Sequence, residues 1–342
     1  MATLIQFRRD TSVNWASVNP VLAQGELGLE TDTAKYKIGD GATAWNSLPY
    51  GALSGAIGAL QLNETTDPSP VAGALQFYTK AVSGRLLPRY VGPAGIQSYL
   101  QPFLARNKIG YWCPAGNSTT LPGVLGYGAL TTVGTVTARN VATTSLFTRM
   151  RRIGLVSAAT AASLASFRQA AAQITLGDGS GNGGFHKVMR FGCSDAATVA
   201  GARQFVGISS STSAPTNVEP STLTNVIGVG HGAADTNLKL YYGGSAAQTP
   251  IDLGANFPAN TLSVDVYELS LFSPPNENGI VKYEVTRLNT GHVATGTLPA
   301  SNGTNLPATS TLLSYAWGYR TNNATALAVG LDIMSDYIET DN

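Results

Sequence analysis

Alternation of apolar and polar side chains is the main pattern in the second half of the chain. Apolar residues occupy every second position in five segments: residues 185–191, 237–242, 262–272, 281–286 and 327–333. A period of two is typical of β-strands that bury one face. Clusters of proline, asparagine and glycine, such as residues 274–279, separate segments and predict turns. We therefore expect a mainly β chain in which residues 111–342 form an antiparallel, jelly-roll-like β-sandwich.

Two segments depart from this regular pattern. Within residues 262–272 the alternation changes phase near Tyr267, and this change predicts a β-bulge. Residues 157–173 are rich in alanine and long enough for a helix of about four turns. Thr160 and Ser163 weaken the helical interpretation, so the pattern leaves helix and strand open for this segment.

A separate pattern marks residues 1–50. A loop of four residues would pair Leu29 with Tyr36 and Leu27 with Ile38 in a β-hairpin. The apolar side chains then share one face and the charged side chains share the other. Because both alternations agree on one register, we predict this hairpin with that pairing.

A short helix is predicted ahead of the hairpin. Thr11 and Ser12 can cap its N-terminus, Pro20 ends it, and Trp15 is its buried side chain. Trp45 closes the module. A module of about 50 residues lies near the lower limit for independent folding. We therefore expect it to bury further surface against copies of itself or against a docking partner.

Residues 51–110 have the composition of a connector. Three glycines lie among small apolar residues at its start, residues 63–70 are polar with two prolines, and Pro88 and Pro93 interrupt the rest. We predict a neck or shaft that neighbouring subunits stabilise. An ordinary interdomain linker is the alternative.

Charge is scarce and unevenly distributed. Only 12% of the residues are charged, which favours a β-rich surface protein over a metabolic enzyme. Residues 80–190 carry 12 basic side chains and a single acidic one, Asp178, whereas residues 191–342 carry 5 basic and 12 acidic ones. We expect the basic middle to pack against acidic surface, in this chain or in a neighbouring subunit. Solvated faces are one alternative and nucleic-acid contact is another, but the basic residues are scattered, so nucleic acid is not an expected partner.

Membrane insertion, disulfides and metal sites lack support in the sequence. The apolar runs are shorter than the ~18–20 residues that span a bilayer, and residues 1–10 lack the apolar stretch of a secretory signal. Cys113 and Cys193 are expected to be free thiols. The three histidines are too far apart in sequence for a local metal motif, so we expect neither a metal nor another cofactor.

Three motifs suggest chemistry but have plainer explanations. Residues 177–184 contain G-x-G-x-x-G, yet the strand-like residues that follow favour a flexible loop over a dinucleotide site; an anion or Ca²⁺ site is the lesser alternative. Glu268 and Glu284 could be a glycosidase carboxylate pair, although a solvated sheet face explains them more simply. Ser194 and Asp195 lack the nucleophile elbow of a triad. We assign no catalytic residue.

The first 50 residues contain several runs that are similar to one family. These runs are Ile5-Gln6-Phe7-Arg8-Arg9, Gly25-Glu26-Leu27-Gly28, Lys37-Ile38-Gly39-Asp40-Gly41 and Trp45-Asn46-Ser47-Leu48-Pro49. They resemble the N-terminal domain of the bacteriophage major tropism determinant family. The resemblance implies an attachment module at the virion-proximal end of a homotrimeric fibre. The candidate docking and trimer residues are Trp15, Leu27, Leu29, Tyr36, Ile38 and Trp45.

Aromatic side chains are the receptor-contact candidates of the sandwich. Tyr241 and Tyr242 precede two glycines, and Tyr315, Trp317 and Tyr319 share one parity of a predicted strand. Tyrosine and tryptophan rings stack on sugars and offer rigid contact area. The other interpretation of a period-two aromatic stripe, a buried sheet face or subunit interface, is the favoured one.

Together these features predict a non-enzymatic bacteriophage virion protein, a trimeric tail fibre assembled in the host cytoplasm. Residues 1–50 would attach it to other phage structural proteins, residues 51–110 would connect, and residues 111–342 would bind a host-surface glycan or protein. The latter region also loosely resembles carboxy-terminal domains of phage tail and minor structural proteins. A capsid decoration or head-fibre protein is the first alternative, and a polysaccharide depolymerase tailspike is the second.

Overall fold

The fold is mainly β, as expected from the alternation. The computed structural model describes residues 7–51, 61–93, 97–99 and 108–340. About 40% of the chain is strand and 5% is helix. The chain divides into two compact units, Met1–Gln61 and Leu62–Asn342. No helix in the part of the chain that the structure describes is long and apolar enough to cross a bilayer.

The N-terminal unit is a three-stranded sheet with one helix. Its elements are β1 (Arg8–Asp10), α1 (Ser12–Val18), β2 (Leu27–Glu30), β3 (Tyr36–Ile38) and a 3₁₀ turn at Trp45–Ser47. β1 runs parallel to β2, and β2 runs antiparallel to β3. The Thr11 side chain caps α1 as predicted by accepting a hydrogen bond from the backbone N–H of Asn14, and Asn19 ends the helix in the left-handed conformation.

Two tryptophans form the centre of this unit. The rings of Trp15 and Trp45 stack with centroids 4.1 Å apart, and Leu22 and Leu48 complete the buried cluster. Gly28 lies directly against the Trp45 ring, where a Cβ atom would come within 2.5 Å of it. A side chain at Gly28 would therefore displace one of the two stacked rings at the centre of the buried cluster.

The second unit begins with a three-stranded antiparallel sheet. Its strands are β4 (Gln76–Val82), β5 (Arg85–Val91) and β6 (Gln97–Tyr99). Pro88, which the sequence predicts to be a breaker, lies inside β5 opposite Thr79. Among the described residues β6 pairs only with Arg89 to Val91, so Pro88 lies at an edge where no donor is needed. Residues 52–60, which include the small apolar residues at the start of the predicted connector, and residues 100–107 lie outside the described residues.

Two antiparallel sheets make up the rest of this unit. The first contains β7 (Lys108–Trp112), β9 (Thr135–Arg139), β10 (Arg152–Val156), β12 (Phe185–Cys193), β17 (Tyr267–Ser273), β18 (Lys282–Arg287), β19 (His292–Thr297) and β21 (Gly330–Thr340). The second contains β8 (Thr131–Val133), β11 (Leu164–Arg168), β13 (Arg203–Ser209), β14 (Val226–His231), β15 (Lys239–Gly243), β16 (Ile251–Asp252) and β20 (Ser314–Thr321). A short helix, α2 (Leu146–Arg149), and a 3₁₀ turn at Pro220–Thr222 lie in connecting segments.

The two sheets pack face to face and form the predicted sandwich. The first has the order β19-β18-β17-β12-β21-β10-β9, with β7 also paired to β21, and the second has the order β16-β15-β14-β13-β20-β11-β8. Fully buried side chains from both sheets meet in one core, including Met189 and Leu269 from the first and Phe167 and Val229 from the second. The alternating positions of each strand therefore supply one continuous apolar layer.

The structure corrects the predicted bulge near Tyr267 and decides the conformation of residues 157–173. The phase change near Tyr267 is not a bulge, because β17 begins there and keeps its register with β12 and β18. Leu262 and Ser263, just before it, have left-handed backbone conformations and belong to a turn. Residues 157–173 contain no helix; β11 occupies their centre and pairs with β8 and β20.

The uneven charge distribution is explained by ion pairs within the chain. β21 buries three carboxylates, each with 0% exposure: Asp332, Asp336 and Glu339. Their partners, Arg139 and Arg152 on Asp332, Lys187 on Asp336 and Arg85 on Glu339, all lie between residues 80 and 190. Packing of the basic middle against acidic residues of the same chain is thus confirmed.

Removing the Asp332 carboxylate should be strongly destabilising. Arg152 Nε donates to it over 3.1 Å and Arg139 Nε over 3.2 Å, and Asp332→Ala would leave the buried Arg152 and the partly buried Arg139 without this carboxylate. We expect a loss of about 3–5 kcal/mol in the free energy of unfolding, measured by urea denaturation. The half-exposed pair of Glu277 and Lys282 gives the control: Glu277→Ala should cost less than about 1 kcal/mol. Equal losses for the two variants would contradict this assignment.

Candidate functional site

The N-terminal hairpin has the predicted register and buries the face that carries its charged side chains. Leu27 pairs with Ile38 and Leu29 with Tyr36, which confirms the pairing. The side chain of Lys37 on this face is only 4% exposed. This arrangement places a charged side chain beneath the sheet and turns the apolar side chains away from the tryptophan core.

Aromatic rings and a carbonyl oxygen stabilise the buried lysine. Lys37 Nζ donates to the backbone oxygen of Trp45 over 2.7 Å and lies 4.4 Å from the centroid of the Tyr50 ring. Such cation–π contacts stabilise an ammonium group that has lost part of its hydration. Tyr50 in turn donates over 2.7 Å to Glu30, and this hydrogen bond raises the pKa of the Tyr50 phenol.

The outward face of the hairpin is an apolar surface. Leu27, Leu29 and Tyr36 are half-buried, and Ile38 is 52% exposed. We call these four side chains the hairpin face. Of the six docking candidates, Trp15 and Trp45 are therefore core residues, whereas the other four form this accessible surface.

The five aromatic candidates of the sandwich are packed inside the unit. Trp317, Tyr319 and Tyr241 form a second buried cluster on the outer side of the second sheet. Tyr315 packs edge-on against Tyr127 in the main core, with ring centroids 4.8 Å apart, and Tyr242 is half-buried against that core.

A connecting segment covers the second cluster. Trp317 Nε1 donates to the Ser213 carbonyl over 3.0 Å, and the Tyr319 hydroxyl donates to the Val218 carbonyl over 2.9 Å. The buried-face interpretation of the aromatic stripe is the one that agrees with the structure. The prediction of receptor contacts needs correction for four of the five aromatic residues. Neighbouring residues of the same chain already occupy the ring faces of Tyr241, Tyr315, Trp317 and Tyr319.

A cavity lies where the β4-β5-β6 sheet meets the outer face of the first sandwich sheet. Ser83 Oγ donates to the Ser270 carbonyl over 3.0 Å, and Arg85 contacts both Glu339 and His186. These contacts fix the small sheet against the sandwich. The cavity between them measures about 390 Å³, a volume in the range of small-molecule sites.

The cavity wall combines apolar side chains with one ion pair. Val82, Leu87 and Val188 contribute apolar surface, and Arg190 Nε donates to Glu268 over 2.6 Å at one side. An apolar lining with few polar groups can hold a ligand with an apolar face and hydroxyl groups along its edge. The residues that line the cavity come from the predicted connector and from the sandwich. Because they lie far apart in the sequence, no local pattern predicts that they meet.

The two carboxylates considered as a glycosidase pair lie on this same outer face. Glu268 pairs with Thr286 and Glu284 with Ser270, so the two acids are diagonal neighbours whose Cα atoms lie about 7–8 Å apart. Burial raises the pKa of Glu284, and the nearby charge of Glu268 adds to this effect. The backbone N–H of Ser83, 3.3 Å from Glu284, and the charge of Lys80 act in the opposite direction.

The glycine-rich loop has no phosphate-binding geometry. Asp178 accepts hydrogen bonds from the backbone N–H groups of Ser180 and Asn182 over 2.7 and 3.1 Å, which closes the loop on itself. A strand, β12, follows instead of the helix that a dinucleotide fingerprint requires. Within the described residues no group of three or more His, Cys, Asp or Glu side chains is arranged to hold a metal ion.

Ser194 and Asp195 take part in structural contacts instead of a triad. Ser194 Oγ donates to Asp332 over 2.6 Å, and Asp195 binds Arg320 with an Nε to Oδ1 distance of 2.8 Å. Arg320 also lies 2.9 Å from His231, and burial, together with this positive charge, lowers the pKa of His231 to about 3. Arg320 occupies the same alternate positions of β20 as Ala316 and Gly318, which face inward. This position in the alternation is the one sequence signal of the buried network. Cys113 and Cys193 are free thiols as expected.

Comparison with known proteins gives a specific match at the N-terminus. Residues 5–43 match the family model of the major tropism determinant N-terminal domain. The resemblance inferred from the sequence is confirmed for this segment. A hyaluronoglucosaminidase of Streptococcus pyogenes phage H4489A is 41% identical over 46 residues, which are 14% of this chain and 12% of that protein. The match thus spans about an eighth of that phage enzyme.

Solved structures similar to the sandwich are distant in sequence. A protein of unknown function from Shewanella oneidensis MR-1 is 12% identical with a TM-score of 0.44, covering 71% of this chain and 95% of that chain. Peanut lectin is 14% identical with a TM-score of 0.44, over 68% of this chain and 97% of that chain. Lectin II from Ulex europaeus is 12% identical with a TM-score of 0.45, over 69% and 100%.

Replacing Glu284 by glutamine should stabilise the protein only where the carboxyl group would be ionised. Because its pKa is raised above the unfolded value of 4.5, the folded protein binds this proton more tightly and loses stability as the pH rises past 4.5. We expect Glu284→Gln to leave the unfolding free energy unchanged near pH 4 and to increase it near pH 7, in urea titrations at both values.

The half-exposed Glu277 provides the matched control for this measurement. Glu277→Gln should show no comparable gain between the two pH values, since its partner Lys282 and solvent both reach it. A gain for Glu284→Gln that is equal at both pH values would contradict a raised Glu284 pKa.

Proposed function

We propose that this chain is a bacteriophage receptor-binding protein, a trimeric tail fibre that attaches to the particle through its N-terminus. The observation that supports this most is the match of residues 5–43 to the major tropism determinant N-terminal domain. A separate compact unit, Leu62–Asn342, is then available to contact the host. This arrangement divides attachment and recognition between two parts of one chain.

Burial of the hairpin face would drive trimer formation and docking at the particle. The unit holds its tryptophans and Lys37 inside, so that Ile38 and its paired neighbour Leu27 remain as apolar contact area. Further copies of the same hairpin are the occupant we propose, because a unit of this size gains substantially from any added apolar burial. Other phage structural proteins would meet the assembled trimer.

A host-surface glycan or protein would bind the second unit. The cavity beside Arg190 and Glu268 offers apolar walls and charged hydrogen-bonding groups. An individual site of this size binds weakly, but three sites on one fibre act at high effective concentration. Most aromatic side chains of this unit pack in its own core and are not exposed to a ligand. Multivalent attachment through three weak sites would therefore suit this unit.

Polysaccharide cleavage is the second candidate function. Glu268 and Glu284 lie on one face at a diagonal spacing, and the raised pKa of Glu284 is what a general acid needs. Against cleavage, Arg190 pairs with Glu268 and the backbone of Ser83 covers Glu284. We therefore favour binding without turnover. Release of new reducing ends from host envelope polysaccharide, lost in Glu284→Gln, would favour the second function instead.

Particle incorporation and adsorption test the proposal together. Phage whose protein lacks residues 1–61 should lack this protein by immunoblot of purified particles, and the isolated residues 62–342 should block adsorption of intact phage to host cells. Incorporation of the truncated chain at the normal level would contradict the docking role. Absence of any block of adsorption by saturating residues 62–342 would contradict receptor binding.

Point variants of equal exposure supply the control for incorporation. Ile38→Asp removes apolar contact area from the hairpin face and should reduce both trimer formation and incorporation. Val264→Asp changes a valine of the second unit that is 55% exposed, close to the 52% of Ile38, and should alter neither.

A further inference from the structure

One buried ion pair of the sandwich joins a lysine to an aspartate. Lys187 on β12 and Asp336 on β21 face the core, with side-chain exposures of 0% and 1%, and Lys187 Nζ contacts Asp336 Oδ1. The register sets Lys187 opposite Ile338 and Asp336 opposite Met189, so the two charged side chains are diagonal neighbours with apolar residues beside them. The other buried pairs of the described residues use arginine.

The site accommodates a neutral amine better than an ammonium group. An ammonium has three N–H donors, and within the described residues Asp336 is the one hydrogen-bond acceptor that Lys187 meets. Arg320, the comparable buried cation, has four different partners, Asp195, Gln204, His231 and Asn260. Burial lowers the pKa of Lys187 and raises the pKa of Asp336, although each charge opposes the shift of the other. Both shifts favour an amine beside a carboxylic acid.

A third group can donate a proton at the same place. The Tyr127 hydroxyl donates a hydrogen bond to Asp336 Oδ2, the carboxyl oxygen that Lys187 does not contact. Burial raises the pKa of Tyr127 well above 10, so the phenol keeps its proton. The ring is fixed by Tyr315, whose hydroxyl accepts a hydrogen bond from Gln169 over 2.9 Å. Nucleophile, electrophile and proton donor thus meet in a site closed to bulk water.

We propose that Lys187 and Asp336 form a covalent amide crosslink between β12 and β21. The lysine amine attacks Cγ of the protonated Asp336 carboxyl group, and a bond forms between Nζ and Cγ. The bond from Cγ to one carboxyl oxygen breaks, and that oxygen leaves as water with a proton that passes from the attacking nitrogen by way of Tyr127. One amide and one water replace one amine and one carboxylic acid, so no oxidant, reductant or cofactor is needed.

The fold supplies the driving forces for this condensation. Two groups held in contact on adjacent strands react as an intramolecular pair, with a high effective concentration. The product amide carries no charge, so neither a buried ammonium nor a buried carboxylate can form at this position after the reaction. The crosslink closes a loop across 149 positions of sequence and fastens the C-terminal strand to the centre of its sheet. The inference is independent of the receptor or particle that the chain binds.

The intact mass of the full-length protein tests the crosslink directly. We expect the purified wild-type chain, denatured and with its N-terminus verified, to weigh less than its sequence by the mass of one water. Proteolysis should yield one branched peptide that joins the segments carrying Lys187 and Asp336. A wild-type mass equal to that of the sequence would overturn the proposal, and so would a one-water deficit that maps to other residues.

Matched variants separate the chemistry from a structural effect. Lys187→Arg keeps a cation but cannot form the amide, so its mass should equal that of its sequence. Lys80→Arg, in the partly exposed pair with Asp67, should retain the one-water deficit. Tyr127→Phe removes the proton donor, and a larger uncrosslinked fraction in freshly purified protein is expected. A deficit that persists in Lys187→Arg would overturn the assignment.

Discussion

The carboxylates that β21 buries are the constraint on which the sandwich depends. Asp332, Asp336 and Glu339 lie on one central strand without solvent exposure. A buried carboxylate without a partner costs several kcal/mol, so this strand can occupy its position only when cations arrive from other elements. β9 and β10 supply arginines to Asp332, β5 supplies one to Glu339, and Lys187 on β12 is the partner of Asp336. These contacts therefore join β21 to its sheet neighbours β10 and β12 and also to β9 and β5, which do not pair with it, and each contact favours one arrangement of these strands.

Local pattern was enough to predict much of the strand content and the pairing of the N-terminal hairpin. It was not enough to predict which hairpin face is buried. The alternation separates Leu27 and Ile38 from the charged side chains without showing which face is buried, and the Trp45 carbonyl and the Tyr50 ring, from outside the hairpin, hold Lys37 on the inner face. The rule that lysines face solvent fails here because a long apolar stem and a cation–π contact compensate for lost hydration.

The candidate site shows the same limit of sequence reasoning. The charge imbalance predicted that the basic middle meets acidic residues, and the ion pairs on β21 agree, yet no local pattern identifies the individual partners. The period-two aromatic stripe favours a buried face, but its pattern does not show that a connecting segment covers Trp317 and Tyr319 while Tyr315 packs in the main core. The cavity was not predictable, since Leu87 and Glu268 meet only through tertiary packing.

Hydrogen–deuterium exchange along the full chain tests the central role of β21 most directly. If its buried ion pairs organise the sandwich, amides of β21 and β12 exchange only through global unfolding and are the slowest in the protein. The edge strands β19 and β9 exchange faster through local opening. Amides of β21 that exchange as fast as those of β19 would contradict the account.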